Sequence, residues 1–232
     1  MIELEKSDIC NLSKIPFANW DGNPCHVTAI QLLKNPNITL EETALYAWYK
    51  WIEKYKDSSL SDFYGLNIEP LREHKCTSIF FPWMHTKPVK RFSDFAFLFP
   101  VDEGQIKKQI EKLKKLLTSF RLNGYDPERF IDKRGGHATG YFLEFQEQKK
   151  FYVVSGNHRV STFFALWPDK KMPAQYEKYE FMKSRDLANN GAVKDKILPT
   201  LFSDKQISEW PAVKSGYLSK EDAASILGRY FV

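Results

Sequence analysis

The strongest periodic signal in the chain lies between residues 104 and 121. Ile106, Ile110, Leu113, Leu116, Leu117 and Phe120 recur at three- and four-residue spacing, while Lys107, Lys108, Lys112, Lys114 and Lys115 fill the positions between them. That spacing predicts an amphipathic helix with an apolar face and a solvated lysine face. Asp102-Glu103-Gly104 precedes it, and Asn123-Gly124 with Asp126-Pro127 ends it. Thr39-Leu40-Glu41-Glu42 reads as a capping box opening a second helix to about Lys54, with Leu45, Trp48, Trp51 and Ile52 on its apolar side. A shorter helix is expected from about His26 to Leu33, and Ser219-Lys220-Glu221-Asp222 caps a last one running to about Tyr230.

Short apolar runs predict strands at Cys76–Phe81, near Phe130-Ile131, at Tyr141–Gln146, at Phe151–Val154 and at Met172–Tyr176. Gln148-Lys149-Lys150 is expected to be the turn between two of them. Turn signals at Asn19–Pro24 and Asn35-Pro36-Asn37 make residues 1–38 largely irregular, and residues 61–100 read as loop and short elements, with Pro82-Trp83-Met84-His85 closing the first strand.

The segment richest in chemistry is Tyr152-Val153-Val154-Ser155-Gly156-Asn157-His158-Arg159, followed by Val160–Leu166 with its aromatic residues Phe163 and Phe164. A strand that turns at glycine into a helix gathers backbone N–H groups at one point, where the helix dipole adds partial positive charge. Such a point attracts anions, phosphate above all. His158 and Arg159 can add donors and charge, Asn157 can offer an amide, and Ser161 and Thr162 can offer hydroxyls. Each has a plainer reading: a structural His158–Arg159 pair, an asparagine tolerating a left-handed turn, and hydroxyls packed inside a helix.

Composition narrows the rest. Apolar residues make up 43% of the 232 residues and charged residues 27%, an ordinary balance for a globular chain with a substantial core. The 15% of aromatics is high, with many in the first hundred residues, and core packing accounts for it. The net charge of +5 is dispersed, with no block that reads as a nucleic-acid arm. Three cysteines in no C-x-x-C arrangement, an acidic opening Met1-Ile2-Glu3-Leu4-Glu5 and no run of about 18 apolar residues lead to the expectation of a cytoplasmic protein with no membrane span. The five histidines and three cysteines show no zinc-ligand spacing, and neither a Walker motif nor G-x-G-x-x-G occurs.

The order of elements in the second half resembles the ParB/sulfiredoxin superfamily, which includes partition proteins, sulfiredoxins and free-serine kinases. The matching pattern runs from Phe99-Pro100-Val101-Asp102-Glu103 through the 104–121 helix, Asn123-Gly124…Pro127, strands near 141–154, Gly156-Asn157-His158-Arg159 and a helix to Leu166, ending at Met172-Pro173-Ala174. It covers roughly residues 97–178, about a third of the chain. The resemblance implies an α+β fold, a small mixed sheet with flanking helices. A mainly helical, aromatic-rich region over 1–96 would pack on this core, and a C-terminal helical region would occupy 179–232.

The resemblance also implies chemistry. In this superfamily the glycine turn and its His or Arg hold nucleotide phosphates, which points to Ser155, Gly156, Asn157, His158, Arg159, Ser161 and Thr162. In the kinase members an acidic residue at the start of the long helix is the catalytic base, a place matched by Glu103 or Asp102, with His158 assisting at the transferred phosphoryl group. Helix capping is the plainer role for one of that acidic pair. Sulfiredoxins carry cysteine where this chain has Asn157, so sulfinic-acid reduction by that route is not expected. Partition proteins carry two arginines where this chain has His158-Arg159, and residues 177–232 are short for a DNA-reading module. Trp83 and His85 are candidates to line an acceptor pocket, and His137 is a weaker one. The implied cofactor is ATP or ADP, or another nucleotide, with Mg2+, and the implied activity is phosphoryl transfer to a hydroxyl of a small molecule such as a sugar or amino acid. A nucleotide-binding or nucleotide-hydrolysing module acting on DNA or a protein partner, and a non-catalytic interaction domain, are the alternatives.

Overall fold

A computed structural model of the chain describes residues 1–10, 20–55, 57–76, 78, 80–89, 102–127, 136–177 and 199–231. Along the chain run β1 (Ile2–Leu4), β2 (Ile9–Cys10), α1 (Pro24–Lys34), α2 (Ala44–Glu53), α3 (Leu60–Tyr64), α4 (Glu69–Arg72) and α5 (Glu103–Asn123). There follow β3 (Ala138–Phe145), β4 (Gln148–Ser155), α6 (Asn157–Leu166), β5 (Met172–Tyr176), β6 (Leu201–Ser203), α7 (Pro211–Lys214) and α8 (Lys220–Gly228). Together they form a mixed α/β structure around a six-stranded sheet of order β1-β5-β3-β4-β2, with β6 also on β3.

The β3–β4 hairpin is the centre of this sheet, antiparallel from Thr139↔Ser155 to Phe145↔Gln148 with a register shift between Thr139 and Gly140. β4 occupies one edge of β3, so β5 and β6 share the other, both parallel to it: Ala138↔Ala174 near its start and Phe142↔Leu201 further on. The first ten residues supply both flanks, β1 antiparallel to β5 and β2 parallel to β4. Side chains alternate across the sheet. Phe151, Val153 and Ala138 face α5 and α6 through Val160, Phe163, Phe164 and Phe120. Tyr141, Leu143 and Tyr152 face a second cluster with Leu60, Leu71, Trp83, Phe202, Trp210, Ile226 and Tyr230. A third joins α1, α2 and the outer side of α5 through Leu32, Leu45, Ile52, Ile110 and Leu113. Residues 20–89 thus reach both sides of the sheet. The boundaries expected at 96/97 and 178/179 fall outside the described residues, as does the strand expected near Phe130-Ile131.

Several elements differ from expectation for local reasons. α2 starts at Ala44, because Thr43 is its cap, accepting from Tyr46 N. Thr39 and Glu42 instead close a separate turn, with both Thr39 N and Oγ1 donating to Glu42 Oε2. The hairpin turns at Gln146-Glu147, both at positive φ, and Gln148-Lys149-Lys150 belongs to β4. Asp204 holds this turn by accepting from Gln146 N at 2.8 Å. Over Cys76–Phe81 the described residues show no strand; the nearest pairing is an isolated bridge, Ser59↔Lys75. Among the described residues no helix is long and apolar enough to cross a membrane.

Candidate functional site

Gly156 joins β4 to α6 in the left-handed region, φ 94° and ψ 17°. A Cβ there would lie 2.9 Å from Ala138 Cα and 3.1 Å from its Cβ, so the turn is seated directly on β3. Glycine meets both demands, a positive φ and a close backbone approach. No side chain caps the first turn of α6, and its N–H groups are presented at the end of the sheet.

The residues after Gly156 fix this turn. Arg159 Nη1 donates to the Gly136 carbonyl at 3.0 Å and the His137 carbonyl at 2.8 Å, so its guanidinium braces the turn against the start of β3. Asn157 Oδ1 accepts from Asn23 Nδ2 at 3.2 Å, and Asn157 Nδ2 lies 3.7 Å from Cys25 Sγ. Asn23 is itself buried and caps α1, accepting from Cys25 N and His26 N. The N-termini of α1 and α6 are therefore held together by an asparagine pair. One turn further along α6, the Ser161 carbonyl lies 3.1 Å from His26 Nδ1. Burial pushes the Cys25 thiol up to about 12, so the sulfur beside Asn157 is an unreactive thiol at neutral pH.

His158 is not a source of positive charge at neutral pH. Its Nε2 is closed off from solvent, and burial lowers its imidazole to about 4, with the Lys112 and Arg159 charges adding to the effect. An unfolded histidine titrates near 6.5, so on acidification the unfolded chain takes up this proton first. The neutral His158 thus contributes stability above about pH 6.5 that is lost as pH falls toward 4. The expected loss is roughly 2 kcal/mol. Urea unfolding at pH 7 and pH 4.5 should show it, and His158→Gln should flatten the difference.

Ser161 and Thr162 are fully buried in the second turn of α6. Ser155 ends β4 opposite Thr139. Asp102 is the N-cap of α5, its Oδ1 accepting from Gln105 N at 2.7 Å, and Glu103 is the exposed first residue of that helix. Helices α5 and α6 run in the same direction, with the Lys112 charge felt at His158 and Phe120 stacked on Trp167. Glu103 lies about two and a half turns, or about 13 Å of helix axis, before Lys112.

Trp83 and His85 are both buried, in the core on the face opposite α6. Trp83 Nε1 donates to Tyr141 Oη at 3.3 Å, and its ring meets those of Phe81, Phe202, Trp210 and Tyr230. His85 stacks on Phe81 and accepts from its backbone N–H at Nδ1. The site therefore gathers Gly156, Asn157, His158 and Arg159 at one end of the sheet, with Trp83 and His85 packed in the opposite layer. It also includes residues that no motif marked: Asn23, the cap of α1, and Cys25 in its first turn, with Thr139 of β3 opposite Ser155. Among the described residues no group of three or more His, Cys, Asp or Glu side chains forms a metal site.

The class defined by these features is a mixed α/β protein with a glycine-turned strand–helix joint at the end of its sheet. No protein-family model, curated protein or solved structure matches the chain.

Proposed function

We propose that the protein is a nucleotide-dependent phosphotransferase with a ParB/sulfiredoxin-like core, binding nucleotide phosphates at the Gly156 turn. The observation that carries this reading is the β4–Gly156–α6 joint, a left-handed glycine pressed onto Ala138 at the start of a helix whose first turn no side chain caps. The order α5, β3–β4 hairpin, glycine turn, α6 and β5, with both helices packed on one face, supports the fold assignment. Asn157 stands where sulfiredoxins have cysteine, and the neighbouring Cys25 is held as a thiol, which favours phosphoryl transfer over sulfur chemistry.

In this reading the amides of α6 and the Asn157 side chain hold the phosphates, while Arg159 keeps the turn in place from below. Neutral His158 would act as a hydrogen-bonding group. ATP or ADP is the expected donor, and Mg2+ would arrive bound to its phosphates. The resemblance implies an acidic residue at the start of α5 as the base on the acceptor hydroxyl; Asp102 there is engaged in capping the helix, and Glu103 is exposed on its first turn.

Asn157→Asp tests the phosphate site with little risk to the fold. The substitution keeps the oxygen that accepts from Asn23 and adds a negative charge that a helix N-terminus favours. The unfolding midpoint is expected to hold or rise slightly, while affinity for ATP or ADP with magnesium falls about tenfold or more through charge repulsion. Calorimetric titration and urea unfolding measure the two. Unchanged affinity in the variant, or no nucleotide binding by the parent chain at millimolar concentration, overturns the proposal. Salt-sensitive DNA binding without acceptor-dependent turnover would favour a partition-type module instead.

A further inference from the structure

A further carboxylate, Glu177, stands at the same end of the sheet as the Gly156 turn, on the face away from α6. The turn rests on Ala138, whose side chain faces α6; its neighbours His137 and Thr139 engage the other strand, β5, and the residue beyond it. Thr139 Oγ1 donates to Glu177 Oε2 at 2.6 Å, and Glu177 N donates to the Gly140 carbonyl at 2.7 Å. Gln175 Nε2 lies 3.2 Å from His137 Nδ1. In register, Thr139 sits between Ser155 on β4 and Gln175 on β5. Two side-chain pairs, hydroxyl with carboxylate and amide with imidazole, thus stand side by side as one row on β3 and β5 at the same end of the sheet as the turn. Arg159 fixes the row to the turn through the His137 carbonyl.

We infer that this row is the acceptor subsite and that Glu177 is the carboxylate that takes the acceptor's proton, an inference that rests on the phosphotransferase reading above. Glu103 lies exposed on the first turn of α5, beside Asp102, which is engaged as the cap of that helix. Glu177 instead hangs from a strand pair whose other member, Ser155, immediately precedes Gly156. Thr139 fixes the carboxylate's orientation, as a general base requires. In the step itself the acceptor oxygen attacks the terminal phosphorus of a nucleoside triphosphate. The bond from that phosphorus to its bridging oxygen breaks, the nucleoside diphosphate leaves, and the hydroxyl proton passes to Glu177. An acceptor with neighbouring hydroxyls, a sugar or other polyol, would engage both pairs at once, each hydroxyl donating to one group and accepting from another.

The test uses the full chain with ATP and magnesium, offered either pooled sugars and polyols or pooled hydroxy amino acids. Glu177→Gln is expected to bind nucleotide like the parent chain. Its polyol-dependent turnover should fall about 10²- to 10³-fold and lose the acidic limb of its pH profile. Thr139→Val is expected to shift the acidic limb and raise KM for the polyol. Should Glu177→Gln fold poorly, Glu177→Asp keeps the charge and is expected to lower kcat while retaining the limb. Parent-like turnover in Glu177→Gln, loss confined to Glu103→Gln, or turnover only with hydroxy amino acids overturns this inference while leaving nucleotide binding in place. Absence of nucleotide binding by the parent chain overturns both readings.

Discussion

Trp83→Ala is expected to destabilise the protein by about 4 kcal/mol, the range for removing a fully packed tryptophan. The ring is 3% exposed and touches four other aromatic rings, and its Nε1 donates to Tyr141. The cavity would open among Phe202, Trp210 and Tyr230, which come from β6, the start of α7 and the residues after α8. Docking of the C-terminal helices on the sheet should therefore loosen first, seen as early loss of amide protection across α8. A loss of this size is a large share of the roughly 5–15 kcal/mol typical of a folded domain. Urea unfolding measures it, with Trp83→Phe as a milder companion that keeps most of the packing. Were Trp83 a wall of an acceptor pocket, Trp83→Ala would leave the unfolding midpoint in place and raise KM. Tyr64, Phe80 and Phe81 join Trp83 in this layer, where rings from distant parts of the chain meet on one face of the sheet, while Trp48, Tyr49 and Phe63 pack in the cluster with α1 and α5.

Elements with their own period are legible in the sequence. α5 is, because its apolar stripe persists from Ile106 to Phe120, about four turns, and so are the cores of β3 and β4 and the whole of β5. β1, β2 and β6 are not, because strands of two or three residues carry no readable alternation. They exist through pairing with remote partners, as Ile9 does with Phe151. The hairpin turn lies ahead of its expected place because Gln146-Glu147 adopts positive φ without the Asn-Gly or Asp-Gly signature that usually marks it. At the site, the glycine turn is legible, since strand, glycine and helix are contiguous. The surroundings are not. Asn23 reaches Asn157 across 134 residues, and Arg159 is bound to backbone carbonyls that no side-chain motif announces. Basic residues beside a phosphate-type turn read as ligands in sequence; here the arginine braces the turn and the histidine is neutral.

Gly156→Ala is expected to cost about 3 kcal/mol and to abolish nucleotide binding, two effects with one cause. A left-handed conformation costs a residue bearing Cβ about 1–2 kcal/mol. The new methyl would stand 2.9 Å from Ala138 Cα, a backbone atom at the start of the central strand, so relief requires the turn to lift off β3. Overpacking of this kind adds about 1–3 kcal/mol. Gly216→Ala separates the two contributions. Gly216 has φ 71° and open space within 4 Å of where a Cβ would stand, so it meets the conformational cost alone. The difference between the two variants in urea unfolding reads the close approach at Gly156 directly. Lifting the turn would also draw Arg159 away from the Gly136 and His137 carbonyls and displace the first amides of α6. Phosphate recognition by backbone N–H groups depends on their convergence at one point, so binding should vanish even at temperatures where the variant remains folded. If Gly156→Ala bound nucleotide as tightly as Gly216→Ala, the turn would be a packing device and the phosphates would have to sit elsewhere.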